Sequence, residues 1–121
     1  MFRCIHIGSL SKRENLLLGM IRRNRCLNLI WHGSFCAEAI AMLQSKSFDI
    51  VFVSLPSPDM KLPENILAEL RASGVLFATS IYPDHLFHLW KLDPLCFLTE
   101  PFAVQDLQKA LDQHFGRSHF G

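Results

Sequence analysis

The chain has 121 residues, of which 50% are hydrophobic and 19% are charged, and its formal net charge at pH 7 is +1. This length and balance predict one globular domain and argue against a disordered chain. A net charge this small gives no general reason to expect nucleic acid or a membrane as a partner. We expect a cytoplasmic protein, because no apolar run approaches a bilayer span and the first residues do not resemble a secretory signal.

The first half of the chain predicts strands and helices in alternation. Residues 2–7 form the first predicted strand, and Ser11 with Glu14 has the spacing of a capping box for the helix that follows. Residues 26–31 form the second predicted strand, and Ser34 is a plausible N-cap for the second helix.

An unbroken apolar run, residues 50–53, predicts the third strand. A strand that is apolar on both faces is typical of the middle of a parallel sheet that has helices on either side. Functional side chains of such sheets lie at the carboxyl ends of the strands. Here that end carries Ser54, and Pro56 and Pro58 then stop the strand. Ser54 is therefore the first candidate site residue.

The second half continues the alternation. The sequence predicts, in order, a helix from Pro63 to Ser73-Gly74, a strand over 75–78, a short helix from Pro83, a strand over 95–98 and a final helix after Pro101. Five strands alternating with five helices predict a doubly wound α/β sandwich. We expect one domain over residues 1–116 and a frayed tail over 117–121.

Two segments resemble response-regulator receiver (CheY-like) domains. Residues 48–60, Phe-Asp-Ile-Val-Phe-Val-Ser-Leu-Pro-Ser-Pro-Asp-Met, resemble the third strand of that family and the loop after it. Residues 97–102, Phe-Leu-Thr-Glu-Pro-Phe, are similar to the Tyr-Leu-x-Lys-Pro-Phe segment of receivers. Residues 90–94, Trp-Lys-Leu-Asp-Pro, look most like receivers that precede LytTR-type DNA-binding domains. The resemblance covers essentially the whole chain and implies a five-stranded parallel sheet of flavodoxin/CheY-like order 2-1-3-4-5.

The same resemblance implies that the phosphorylation residues are missing. In receivers an acidic pair and an acceptor Asp hold Mg²⁺, while a Lys and a Thr or Ser contact the phosphoryl oxygens. Carried over by position, these roles and the switch aromatic fall on the following residues: the acidic pair on Gly8 and Ser9, the acceptor on Ser54, the lysine on Glu100, the hydroxyl on Thr79 or Ser80, and the aromatic on Phe97. Spacing does not choose between the two hydroxyls. The resemblance therefore predicts a pseudo-receiver of two-component-type signalling or transcription regulation. We expect no phosphorylation, enzyme activity, metal or cofactor.

Such a domain is expected to work by protein–protein contact. In receivers the fourth helix, fifth strand and fifth helix form the docking face, so we expect a homodimer or another protein partner there, with no direct contact to nucleic acid or membrane. Phe87 and Trp90 are the predicted interface residues if Leu86 and Leu89 point at the sheet; a helix sunk into the core fits the sequence equally well. We also expect the Glu100–Pro101 bond to be cis, as the corresponding Lys-Pro bond of receivers typically is.

Several alternatives stay open at this point. A flavodoxin-like domain could bind a small ligand or phosphate at residues 8–11, although a capping box also explains the serine there. Glu100 is either solvated or accepts a hydrogen bond from Ser54 or Thr79. His6 fits a hydrogen-bonded core imidazole, and the four cysteines fit buried reduced thiols.

Overall fold

The computed structural model describes residues 2–8 and 12–116 of the chain. The elements, in chain order, are β1 Phe2–Ile7, α1 Lys12–Arg23, β2 Leu27–Gly33, α2 Ala37–Ser45, β3 Ile50–Ser54, α3 Glu64–Ser73, β4 Leu76–Ser80, a 3-10 helix Asp84–Trp90, β5 Cys96–Thr99, α4 Val104–Leu111 and a π-helical turn Asp112–Gly116. The predicted tail and the predicted cap at Ser11 lie outside the described residues.

The five strands form one parallel sheet in the order β2-β1-β3-β4-β5. This confirms the predicted flavodoxin/CheY-like architecture. All five residues of β3 are buried, as its apolar sequence predicts for the central strand.

Two helical layers cover the two faces of the sheet. One core joins β1, β3 and β4 to α2, α3 and the 3-10 helix; the other joins alternate residues of the same strands to α1 and α4. Successive strand residues point to opposite faces, so Val51 and Val53 enter the first core while Ile50 and Phe52 enter the second. This alternation also decides which side chains meet at the ends of the strands.

The predicted start of α2 is wrong, whereas the predicted end of α3 is confirmed. Helix α2 begins at Ala37 after an extended Cys36 that makes no side-chain cap bond, so Ser34 is not its N-cap. Helix α3 ends at Ser73, as predicted, and Gly74 follows with φ of 70°, a left-handed conformation that favours glycine.

Of the two alternatives for Phe87 and Trp90, burial in the core is confirmed, and their exposure as interface residues is wrong within this chain. They are only 4% and 8% exposed, whereas Leu89 is 75% exposed. A 3-10 helix has three residues per turn, so residues three apart share a face. Leu86 with Leu89 and Phe87 with Trp90 are two such pairs, and only one of them can face the core. The aromatic pair does so, because it buries more surface than the leucines. The Phe87 ring packs edge-on against Trp90, with ring centroids 5.1 Å apart.

Arg71 of α3 holds the end of the 3-10 helix. Its Nε and Nη2 donate hydrogen bonds of 3.0 and 2.8 Å to the carbonyl oxygen of Trp90, and its Nη1 lies 2.6 Å from a carboxylate oxygen of Glu64. The guanidinium therefore satisfies a carbonyl that the short helix leaves free.

The four cysteines are free thiols in differing environments. Cys4 is buried, Cys36 and Cys96 are half-buried, and Cys26 is exposed, so the expectation of burial is wrong for Cys26. Burial raises the pKa of the Cys4 thiol to about 12. Among the helices of residues 12–116, none combines the length and apolar character needed to cross a bilayer.

Candidate functional site

The carboxyl edge of the sheet brings most of the candidate residues together. β3 ends at Ser54, which pairs in register with Thr79 on β4, and Ser80 pairs with Thr99 at the end of β5. Gly8 follows β1 at the same edge and is buried. The structure therefore brings together Ser54, the two candidate hydroxyls and Gly8, which stand at the acceptor, hydroxyl and first acidic positions of the resemblance. Ser9, at the second acidic position, lies outside the described residues.

Ser54 is buried and makes a hydrogen bond that the sequence analysis missed. Its hydroxyl oxygen lies 2.9 Å from Nε2 of His6 and 3.5 Å from the hydroxyl oxygen of Thr79. All three side chains point to the α1/α4 side of the sheet, because they have the same strand parity as Cys4, Phe52 and Phe77, which pack there. A polar residue of matching parity on a neighbouring strand was the signal that could have revealed His6 as the partner.

Strand parity also separates the two candidate hydroxyls. Thr79 points towards Ser54, while Ser80 points to the opposite face of β4. The Ser80 hydroxyl oxygen accepts a hydrogen bond of 3.0 Å from the backbone N–H of Tyr82 and so shapes the turn after the strand. Of the two hydroxyls, Thr79 is the one beside the acceptor position.

His6 is a neutral imidazole in this site. Desolvation by burial, with a smaller contribution from the nearby His32, lowers the pKa of His6 to about 4. Its Nδ1 is buried and has no hydrogen-bond partner among the described residues. His6 is thus the hydrogen-bonded core imidazole that the sequence predicts, and at neutral pH it brings no positive charge to the strand ends.

Glu100 begins the loop after β5, where the resemblance would place a lysine. Its backbone N–H donates a 2.7 Å hydrogen bond to the carbonyl oxygen of Ser80, and the Glu100–Pro101 bond is cis, as predicted. The residue lines a cavity of about 460 Å³ whose other lining residues are Leu16, Leu17, Met20, Ile81, Pro101 and Phe102. Glu100 therefore places a carboxylate directly after β5, at the position where the resemblance expects a lysine.

These donors do not suit the magnesium ion that receiver chemistry uses. Mg²⁺ binds carboxylate and phosphate oxygens, but Gly8 has no side chain and the neutral Ser54 hydroxyl is engaged with His6. Within residues 2–8 and 12–116, no group of three His, Cys, Asp or Glu side chains is arranged to hold a metal ion.

Two further aspartates, Asp49 and Asp59, lie close to β3 in the sequence. Asp49 is at the opposite edge of the sheet, where its carboxylate accepts a 2.8 Å hydrogen bond from the backbone N–H of Arg3. Asp59 is exposed on the loop after β3 and accepts a hydrogen bond from Ser57, which lowers the pKa of the carboxyl. Neither carboxylate forms a hydrogen bond with Ser54 or Thr79 in the described part of the chain.

Phe97 and residues 9–11 are the remaining candidate positions. Phe97 is half-buried, and its ring centroid lies 5.9 Å from that of Phe87, so the switch-aromatic position packs under the 3-10 helix. Residues 9–11, which the flavodoxin-like alternative requires, lie outside the described residues.

Comparisons with known proteins support the fold. The sequence matches no protein-family model and no curated protein sequence. The structure is similar to the signal receiver domain of a modulated diguanylate cyclase from Desulfovibrio desulfuricans (TM-score 0.71, 15% identity, covering 99% of this chain and 98% of that chain). It is also similar to the receiver domain of a sensor histidine kinase from Pseudomonas aeruginosa, which has a magnesium ion in its active-site cleft (TM-score 0.70, 13% identity, 93% and 95% covered). A third similar structure is the response regulator domain of Thermotoga maritima CheB (TM-score 0.63, 11% identity, 93% and 90% covered). The chain therefore has the receiver fold of response regulators.

Proposed function

We propose that this chain is a degenerate receiver domain that takes up no phosphate and acts through contacts with other proteins. One observation carries the proposal: the acceptor position holds a serine, Ser54, whose hydroxyl is bound to the buried, neutral imidazole of His6.

The residue types at the strand ends are not those that catalyse phosphoryl transfer. Catalysis of this reaction depends mostly on neutralising the phosphoryl oxygens with metal ions and cations. Here a glutamate, Glu100, stands at the lysine position and supplies no cation, and His6 adds no positive charge at neutral pH. A serine hydroxyl forms a phosphate ester and cannot form the acyl phosphate of the receiver reaction. We therefore propose that the domain is not an enzyme of any kind.

The docking face remains part of the proposal, with different residues on its surface. Leu86, Leu89 and Leu95 are exposed beside the 3-10 helix and β5. A cavity of about 440 Å³ opens between these two elements, and its lining includes Leu95 and the charged residues Asp84, Lys91 and Asp93. Exposed apolar side chains next to polar ones are typical of protein contact sites. In place of Phe87 and Trp90, these leucines would contact a second copy of the chain or another protein domain.

Association through this face is expected to be constitutive. A receiver changes partner affinity when phosphate shifts its equilibrium between two conformations, and without phosphate this bias is absent. We further propose a cytoplasmic protein that is akin to the receivers that precede LytTR-type domains. Segment 90–94 supports that kinship, and sequencing the coding region beyond codon 121 tests it.

The chemistry is tested by incubating the protein with acetyl phosphate and Mg²⁺ and measuring its intact mass. We expect no phosphate adduct, and none for Ser54→Asp, because Gly8 and Glu100 still withhold the metal ligand and the cation. A stoichiometric adduct on the wild-type chain would overturn the proposal.

The docking face is tested by sedimentation velocity over a range of concentrations. Leu86→Lys with Leu89→Lys should weaken a homodimer, whereas Leu16→Lys, at an exposed leucine of α1, should not. If the wild-type chain stays monomeric, the face is probed instead by pull-down with both variants. A partner that binds the Leu86→Lys, Leu89→Lys variant as well as it binds the Leu16→Lys variant would contradict this docking face.

A further inference from the structure

The outer edge of β2 is an unpaired edge of the sheet within the described residues. With seven residues, Leu27–Gly33, β2 is the longest of the five strands, and it lies at one end of the sheet order. No other strand among the described residues pairs with its outer side. An edge strand presents unpaired N–H and C=O groups that another extended chain can bind.

This edge has few of the features that usually prevent such pairing. Leu27–Gly33 contains neither a proline nor a charged residue, and Ile30, at its middle, is 38% exposed. The opposite edge strand, β5, has four residues and is followed closely by Pro101. Charges, prolines, short length and β-bulges are the common means of protecting an edge, and of these β2 carries a bulge, at Ile30.

An open trough runs along the same strand. It has a volume of about 310 Å³ and is lined by Arg22 and the six consecutive residues 27–32. Space beside the backbone is what an added strand requires, because neighbouring strands lie about 4.8 Å apart.

The charges around the trough indicate what kind of strand fits. Arg22 lines the trough, Arg23 and Arg25 precede β2 by a few residues, and all three are exposed and form no ion pair within the described part of the chain. A helix C-terminus explains arginines at 22 and 23, but Arg25 lies beyond α1. Three guanidinium groups at one end of an uncharged strand complement carboxylates at one end of a partner strand.

We propose that the edge of β2 binds an extended peptide of another protein that has apolar and β-branched residues followed by acidic ones. Antiparallel pairing places the carboxyl end of the peptide beside Leu27 and hence beside the arginines. The register of β2 on β1 shifts between Cys4 and Ile5, which makes Ile30 an extra, bulged residue. The bulge limits regular pairing to a few residues, so the peptide is short and its acidic end contributes much of the specificity.

The test uses a defined probe, the peptide Thr-Val-Thr-Val-Glu-Glu labelled with fluorescein at its amino end. Two control peptides replace the glutamates with lysines or the second threonine with proline. Anisotropy should show the acidic probe binding about tenfold more tightly than either control, and amide exchange should slow in β2 but not in β5.

Charge reversal on the protein sharpens the test. Arg22→Glu with Arg25→Glu should weaken binding of the acidic probe about tenfold and strengthen binding of the lysine peptide. Lys61→Glu with Lys91→Glu makes the same change in net charge at exposed sites outside the trough and should leave both affinities unchanged. Equal binding of all three peptides, no binding, or protection outside β2 would overturn the proposal. Protection of β2 in a concentration-dependent dimer without peptide would assign the edge to a second copy and would overturn it too.

Discussion

Acid should destabilise this domain through His6, and His6→Gln should remove that sensitivity. The glutamine amide can keep a hydrogen bond to Ser54 but cannot titrate between pH 4 and pH 7. In the folded chain, burial lowers the pKa of His6 from 6.5 to about 4. Between these two values the unfolded chain binds the proton and the folded chain does not, so stability falls as the pH falls through this range.

The size of the effect follows from the difference between the two pKa values. Each unit corresponds to roughly 1.4 kcal/mol, so His6 should reduce the free energy of unfolding by about 3 kcal/mol between pH 7 and pH 4. At pH 8, well above the ordinary pKa of 6.5, almost no His6 is protonated in either state, and a difference between wild type and variant there reports packing and hydrogen bonding alone.

The assay is urea unfolding followed by tryptophan fluorescence at several pH values, for wild type and His6→Gln. Carboxylates titrate in the same range, so the informative quantity is the difference between the two curves of unfolding free energy against pH. His88→Gln is the matched control, because His88 is exposed and its Nδ1 bonds only to the nearby carbonyl of His85. If the wild-type and His6→Gln curves run parallel, His6 is not buried as a neutral group and the argument fails.

Three further predictions concern stability and reactivity. Phe87→Ala should lower the free energy of unfolding by about 3 kcal/mol, and Leu89→Ala should change it by less than about 0.5 kcal/mol; the reverse ranking in urea unfolding would contradict the observed orientation of the 3-10 helix. Arg71→Met, which keeps most of the apolar stem, should lower it by about 1.5 kcal/mol in the same assay because the carbonyl that ends the 3-10 helix loses its donors; an unchanged midpoint would refute this role. Ellman's reagent should modify Cys26 in the native state and Cys4 only after unfolding, so rapid native modification of Cys4 would contradict its burial.

The architecture could be predicted because several sequence signals agree. The apolar run of β3 predicts a central strand, and the alternation of elements predicts a layered α/β fold. Strand order depended on the resemblance, since alternation and right-handed crossovers allow several orders. The cis bond before Pro101 was likewise expected from the resemblance and is confirmed.

The orientation of the 3-10 helix could not be predicted from spacing. Leu86 with Leu89 and Phe87 with Trp90 are both pairs three residues apart, so the periodicity is the same for both. The choice depends on tertiary contacts, here the approach of Phe87 to the ring of Phe97 on β5. The N-cap of α2 was also predicted wrongly. A serine before an apolar helix is a plausible cap, but the sequence alone does not show at which residue the chain enters the helix.

The site could be located but not fully described. The resemblance singled out Ser54 and Glu100 as candidates, and their roles stay a prediction. The contact between His6 and Ser54 joins residues 48 positions apart, and only the register of β1 on β3 brings them together. The choice of Thr79 over Ser80 follows from strand parity, once the end of β4 is known.

The central claim is that the acceptor position takes up no phosphoryl group. The most direct measurement is fluorine NMR of the protein with beryllium fluoride and Mg²⁺, because this mixture mimics a phosphoryl group bound to a receiver carboxylate without requiring turnover. A receiver domain with an intact acceptor Asp serves as the positive control. We predict that this chain gives only the signals of free fluoride species, and a stoichiometric protein-bound signal that depends on Mg²⁺ would contradict the claim.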